Sequence, residues 1–390
     1  MTTMSDRLSV GPARIVTPDR VVTGEVIVEG DRIVAVKPTD DESPERLVLP
    51  GLIDLHGDDV ERHLFPRAGA QVDLELALST CDRANAAAGV TTKFHAVAFE
   101  TAPDEQRSVD LAAAIVDGVD AADGTLVDNR VHARCELSEP DAVDAVRDVL
   151  NRDVVDLVSV MSHVPGAGQF ADIDAFRRRY EDGWNCTPEA TERNLERRRQ
   201  GRASLGRRAR QLVREAASAG VPVASHDDER PETVERFAAW GGSISEYPTT
   251  MAAARRAAAL ELTTAMGAPN LVRGGSMWGN LAAIDAIEAD IVDVLCSDYH
   301  PPSLLSAVFV DTGEPLPRRV ERVTAAPADA VGLSDRGRIE PGARADLIVV
   351  EPTPVPTVCN TIRAGSDVYR ATPPASSSER EKPEPQCRTS

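Results

Sequence analysis

Two potential metal ligands end the run Leu49-Pro50-Gly51-Leu52-Ile53-Asp54-Leu55-His56-Gly57-Asp58, in which a Pro-Gly turn launches a short apolar segment. Residues two apart on a strand project to the same side, so His56 and Asp58 could share one ion. Four more ionisable residues close apolar runs further along. Glu136 follows Val131-His132-Ala133-Arg134-Cys135, His163 follows Ser159-Val160-Met161-Ser162, His226 follows Val223-Ala224-Ser225, and Asp298 follows Val294-Leu295-Cys296-Ser297. Imidazole and carboxylate suit zinc, manganese or iron, and a carboxylate shared by two ions would permit a two-metal site. A lone strand-end histidine is more often structural than a ligand, and a capped polar turn is the plain reading of His56-Gly57-Asp58. Six such residues together point to a metal-dependent hydrolase holding one or two divalent ions, zinc or manganese.

For the six to meet, the strands that end in them must lie side by side. Candidate strands fall near residues 51–56, 90–97, 131–137, 154–161, 221–226, 242–246, 270–274 and 291–297. Helical patterns alternate with them, over Leu74 to Ala88, Arg107 to Val119, Pro140 to Leu150 and the Arg- and Glu-rich stretch Ile173 to Ala219. Alternation of this kind predicts an α/β fold with parallel strands, here a (β/α)8 barrel over 50–336 whose functional groups gather at the C-terminal ends of its strands. The flanks read differently. Residues 1–49 and 337–371 carry short β-rich runs broken by turn formers and predict the two halves of a small β-sandwich. Residues 372–390, rich in Pro, Ser and Glu, lack the apolar surface to order themselves and predict a disordered tail.

Composition excludes several functions. The 390 residues include 63 acidic and 43 basic, a formal charge of −20, which argues against general nucleic-acid binding. No run approaches the roughly 20 apolar residues of a membrane span, and the N-terminus lacks signal-peptide character, so the expected location is the cytoplasm, with no membrane partner. The six cysteines form no C-x-x-C pair, so neither a disulfide framework nor a thiolate zinc site is expected. Arg dominates the basic residues and aromatics make up 4%, a pattern associated with proteins of salt-loving organisms. A small-molecule polyanion would need a local basic pocket on such a surface; a homo-oligomer is compatible with the composition.

The opening Pro-Gly-Leu-Ile-Asp-Leu-His, a small sheet built from both termini and a last-strand Asp resemble the amidohydrolase superfamily over about residues 8–371. That superfamily usually carries His-x-His on its first strand, whereas this chain has His56-Gly57-Asp58. The departure, with His63-Leu64-Phe65-Pro66-Arg67, Arg134-Cys135-Glu136, His163-Val164-Pro165-Gly166, Gln169-Phe170, Ser225-His226-Asp227-Asp228, Glu246-Tyr247-Pro248-Thr249-Thr250 and Arg273-Gly274-Gly275-Ser276, is similar to one subgroup. Its members are the ribose 1-methylphosphonate 5-triphosphate diphosphatases of carbon-phosphorus lyase metabolism. The resemblance implies a phosphorylated ribose phosphonate as substrate and pyrophosphate as product. It implies Glu136 as a bridging carboxylate where other members use a carbamylated lysine, a role for which Lys93 is a weaker candidate. His163 and His226 would be the later imidazole ligands, and Asp298 would orient the nucleophile and accept its proton, or simply ligate. The strand count places His163 and His226 on the fourth and fifth strands, whereas the superfamily's pair lies on the fifth and sixth.

Candidate contacts for the polyanion are Arg62, His63, Arg67, Arg273 and Ser276, with Lys93 and His95 as further possibilities, since guanidinium groups bind phosphate oxygens bidentately. Pairing with surface carboxylates is the competing use of these cations. Met277 and Trp278 stand where the subgroup commonly has a His and a small residue, and His300 could compensate. Other readings are a hydrolase of cyclic amides or a deaminase of heterocycles, another nucleotide or sugar pyrophosphatase, and a non-catalytic scaffold.

Overall fold

The computed structural model describes residues 7–39, 45–67, 69–102, 106–164, 174, 177, 181, 187–277 and 279–371. The expected tail 372–390, Trp278, Cys186, Cys387, Pro165, Gly166, Gln169, Phe170 and most of 173–186 lie outside them. Among the described residues, no helix is long and apolar enough to cross a membrane, and Cys81, Cys135, Cys296 and Cys359 are free and buried.

Four strands precede the barrel: β1 (Arg7–Val16), β2 (Val21–Glu29), β3 (Arg32–Pro38) and β4 (Leu47–Pro50). Eight parallel strands follow: β5 (Leu52–Gly57), β6 (Val90–Phe99), β7 (Asp128–Glu136), β8 (Val155–Met161), β9 (Val223–His226), β10 (Ile244–Glu246), β11 (Thr263–Gly267) and β12 (Val294–Cys296). Each is hydrogen-bonded to its sequence neighbour. The first and last meet through a parallel bridge between Gly57 and Asp298. There Asp58 N donates to Asp298 O at 2.7 Å, and Asp298 N to His56 O at 2.9 Å. The sheet thereby closes into a (β/α)8 barrel, filled by Ile53, Leu55, Phe94, Leu157, Ala224 and Val294 among others.

Strands buried on both faces read as continuous apolar runs, and β5 and β6 are buried at every residue. Local chemistry starts the surrounding helices. Asp73, Ser108 and Thr250 accept first-turn backbone N–H bonds for the helices Leu74–Ala87, Val109–Ala121 and Met251–Ala259. Pro opens Pro140–Val149 and Pro231–Trp240.

Seven of the eight expected strand segments overlap observed strands; the seventh does not. Residues 270–274 belong instead to the helix Ala268–Arg273 and its cap. Pro269 sits in its first turn and Gly274 ends it in the left-handed region at φ 77°. The seventh strand lies upstream, at β11, where Thr263 and Thr264 supply β-branched residues.

The chain ends in β13 (Leu347–Glu351), β14 (Thr357–Arg363) and β15 (Ser366–Arg370). With the first four strands they form a seven-stranded sheet in the order β15-β14-β13-β4-β1-β2-β3. It rolls back on itself, since Ile33 N donates to Ala343 O at 2.9 Å and Ala345 N to Asp31 O at 2.8 Å. The roll encloses Val10, Ile15, Val26, Val28, Ile33, Leu347 and Ile362. One residue, Gly51, separates β4 from the first barrel strand.

Candidate metal centre

Five of the six sequence-derived ligand candidates, His56, Asp58, His163, His226 and Asp298, line one cavity of about 410 Å³ at the C-terminal ends of the barrel strands. Glu136 is fully buried behind His163. Its Oε2 lies 3.1 Å from His163 Nδ1, while its Oε1 accepts from Ser138 N at 3.0 Å and Ser138 Oγ at 2.5 Å. His163 follows the fourth barrel strand and His226 ends the fifth.

The residue ending the sixth strand is one that the sequence reasoning passed over. Glu246 Oε1 lies 2.7 Å from His56 Nδ1, and Oε2 lies 3.0 Å from His226 Nδ1. The two rings stack with centroids 5.6 Å apart and planes 14° apart. Tyr247 stands edge-on to both at 5.0 and 5.4 Å. Its backbone is left-handed at φ 53°, unusual for a bulky side chain, and its buried hydroxyl has no hydrogen-bond partner among the described residues. Glu246 follows Gly241-Gly242-Ser243-Ile244-Ser245, which is no apolar run, so only its place in the block Glu246-Tyr247-Pro248-Thr249-Thr250 drew notice to it in the sequence. Glu100, just past β6, closes Val97-Ala98-Phe99 as Glu136 closes its own run, and it was also missed.

Glycine is required between His56 and Asp58. A Cβ there would come within 1.6 Å of Lys93 Nζ. That ammonium is buried between Asp54 Oδ2 and Asp59 Oδ1, each at 2.8 Å. Burial opposes its charge, but Asp54 and Asp59 outweigh burial and hold its pKa above the ordinary lysine value. Lys93 is not among the residues that line the cavity. His95 is also inward and bonded to Asn129 at 2.9 Å.

Three arginines absent from the sequence-derived set enter the site. Arg107 reaches Asp58 at 3.0 Å, Glu61 at 3.3 Å and Glu100 at 3.1 Å. Arg134 lies 3.4 Å from Asp58. Arg198, only 1% exposed, lies 3.0 Å from Glu100 and 3.4 Å from Glu136. It is carried by the helix Pro188–Gly201, whose last residue sits so close to β7's end that a Cβ would meet Ser138 O at 2.1 Å. Nothing in the Arg-rich sequence distinguished this arginine from its neighbours.

Of the expected anion contacts, Arg62, Arg273 and Ser276 line the cavity, whereas His63 and Arg67 do not. Arg62 donates to Tyr299 O at 3.1 Å and lies over the Tyr299 ring at 5.4 Å. Neither Arg62 nor Arg273 has an ion-pair partner among the described residues. His300 is exposed and outside the cavity lining, while Met277 is on it.

The donor chemistry fits a divalent ion. Burial, aided by Arg134, lowers the pKa of His56 to about 3, and burial likewise lowers that of His226 to about 4, so both rings are neutral and able to ligate. Ligand atoms of His56, His226 and Glu246 lie within 4.8 Å of one another, as do those of Glu100, Glu136 and His163, and those of His163, His226 and Asp227. Burial and then the neighbouring Asp58 raise the pKa of Asp298 to about 7.

A sequence model of the amidohydrolase family matches residues 47–375. The chain belongs to this family. It is therefore a hydrolase by kinship, and amidohydrolases generally bind divalent metals. The chain is 34% identical over 315 residues to alpha-D-ribose 1-methylphosphonate 5-triphosphate diphosphatase of Escherichia coli (strain K12), covering 77% of this chain and 82% of that protein. Among solved structures, it resembles dihydropyrimidinase from Brevibacillus agri NCHU1002, with TM-score 0.61, 13% identity and coverage of 93% and 95%. N-acetylglucosamine-6-phosphate deacetylase from Thermotoga maritima gives TM-score 0.61, 14% identity and coverage of 93% and 100%. At such identities these two structures speak for the amidohydrolase fold alone.

Proposed function

We propose that this amidohydrolase cleaves alpha-D-ribose 1-methylphosphonate 5-triphosphate to the 5-phosphate and pyrophosphate. The observation that carries the reading is the pair Arg62 and Arg273, two guanidinium groups without ion-pair partners among the described residues, at a cavity lined by imidazoles and carboxylates, in a chain of charge −20. An anion of high charge is the ligand such a pair would accept. The similarity to the Escherichia coli diphosphatase supports the choice of substrate.

In this reading His56, Asp58, Glu136, His163, His226 and Asp298 hold one or two ions of zinc or manganese. When bound, a divalent ion acidifies water and withdraws charge from phosphoryl oxygens. Arg62, Arg273 and Ser276 hold the triphosphate, and His63 and Arg67 drop out of the contact set. Asp298, its pKa near 7, takes the proton from the attacking water. Arg107 and Arg134 keep Asp58 ionised and aimed. The enzyme works in the cytoplasm at high internal salt, a setting suggested by its acidity.

The test is hydrolysis of this triphosphate at high salt, with and without added manganese or zinc, following pyrophosphate and orthophosphate separately. Metal-dependent pyrophosphate release is the expected result. Orthophosphate alone would mean attack at the terminal phosphorus and a different enzyme. No turnover by folded, metal-loaded protein would sink the proposal and redirect the search to cyclic amides.

A further inference from the structure

We infer that Glu246 is a positioning residue that fixes the tautomer of His56 and His226 together, turning the Nε2 of both rings toward the cavity as a matched pair of ion ligands. Its two oxygens are divided between the rings, one on each Nδ1, at 2.7 and 3.0 Å. A carboxylate only accepts, so each ring presents Nδ1–H to it and keeps its lone pair on Nε2. Both rings turn Nδ1 to the one carboxylate, and their planes lie 14° apart with centroids at 5.6 Å. Both histidines line the cavity, whereas Glu246, 1% exposed, does not and stands behind them. On the cavity side, His226 Nε2 lies 3.8 Å from Asp227. A carboxylate behind a ligating imidazole orients the ring and raises its basicity; here one carboxylate serves two rings.

The chemistry yields a sharp substitution. In Glu246→Gln the side chain keeps its size, but an amide has one accepting and one donating end. It can satisfy Nδ1–H of only one ring. The other ring must offer a bare Nδ1 and carry its proton on Nε2, where it cannot ligate. The metal-free protein with nitrogen-labelled histidine reports this directly, because long-range proton–nitrogen correlation spectra distinguish the tautomers and the chain has 7 histidines to resolve.

The inference rests on the reading of His56 and His226 as ion ligands, but the tautomer measurement needs neither ion nor substrate. In the wild-type protein both rings are expected with the proton on Nδ1, and in Glu246→Gln one of them with it on Nε2. Zinc affinity, measured by chelator competition, is expected to fall about 10- to 100-fold in the variant. A wild-type ring with bare Nδ1 overturns the inference without recourse to any variant. A tautomer shift with unchanged zinc affinity overturns the ligand reading of the two imidazoles, and with it the role given to Glu246, while leaving substrate choice to the hydrolysis assay.

Discussion

His163 is the one histidine of the centre whose surroundings favour the charged ring. Burial opposes protonation, but hydrogen bonds and charge from Glu100 and Glu136 outweigh it and raise the pKa to about 9. A folded value above the unfolded one contributes stability that is fully present below the ordinary histidine value of 6.5 and lost as pH rises through about 9. The metal-free protein is therefore expected to lose thermal stability across that window. His163→Gln should flatten the slope; melting curves of chelated protein at several pH values would decide, and an unchanged slope would remove the charged ring from the account. An ion bound at His163 must displace the same proton, so metal affinity should strengthen as pH rises there. Residues of this kind were readable from strand ends because a polar group closing an apolar run is conspicuous. Glu100 was equally conspicuous but had no histidine beside it in sequence, whereas Glu246 closes no apolar run and its imidazole partners, His56 and His226, lie 190 and 20 residues away along the chain.

Among the elements, the helix Pro188–Gly201 delivers Arg198 to Glu100 and Glu136, and its fit depends on a glycine. Ala normally favours a helix over Gly by up to about 1 kcal/mol. At Gly201 the contact with Ser138 O, 2.1 Å from a built Cβ, reverses the sign because backbone must move. Gly201→Ala should cost about 1–3 kcal/mol and reduce turnover by shifting Arg198. Gly206, with nothing near its missing Cβ, is the control: Gly206→Ala should leave turnover unchanged and stability equal or slightly higher. Denaturant melts of both variants test the pair, and equal behaviour would discount the docking contact. Most strands were legible from apolar runs broken by turns. The seventh was misplaced because Asn270-Leu271-Val272-Arg273 is a short apolar run, for which periodicity cannot separate strand from helix; Pro269 and Gly274 were the signals that could. Arg107, Arg134 and Arg198 were not legible as site residues, since only the closed barrel brings them to Asp58 and Glu136.

For the molecule as a whole, charge is the dominant feature. A formal −20 disfavours the compact state through self-repulsion, and added salt shortens the reach of that repulsion from about 10 Å at 0.1 M to about 3 Å at 1 M. The melting temperature should rise steadily with potassium chloride over that range; a flat response would remove the salt-adapted reading. Folding couples distant parts of the chain as well. In the terminal sheet β4 lies between β1 and β13, so its two halves need each other, and Asp346 O accepts from Gly51 N at 2.8 Å where the first barrel strand begins.

The barrel's closing bridge joins Gly57 to Asp298, and its hydrogen bonds run through His56, Asp58 and Asp298 themselves. Asp54 adds a second tie at the same place, accepting from Ser297 N and Oγ. The latch of the cylinder and the floor of the centre are thus the same few residues. Whatever grips their side chains also holds the ring shut, and a strand that slipped at this seam would dismantle the chemistry before it exposed the core.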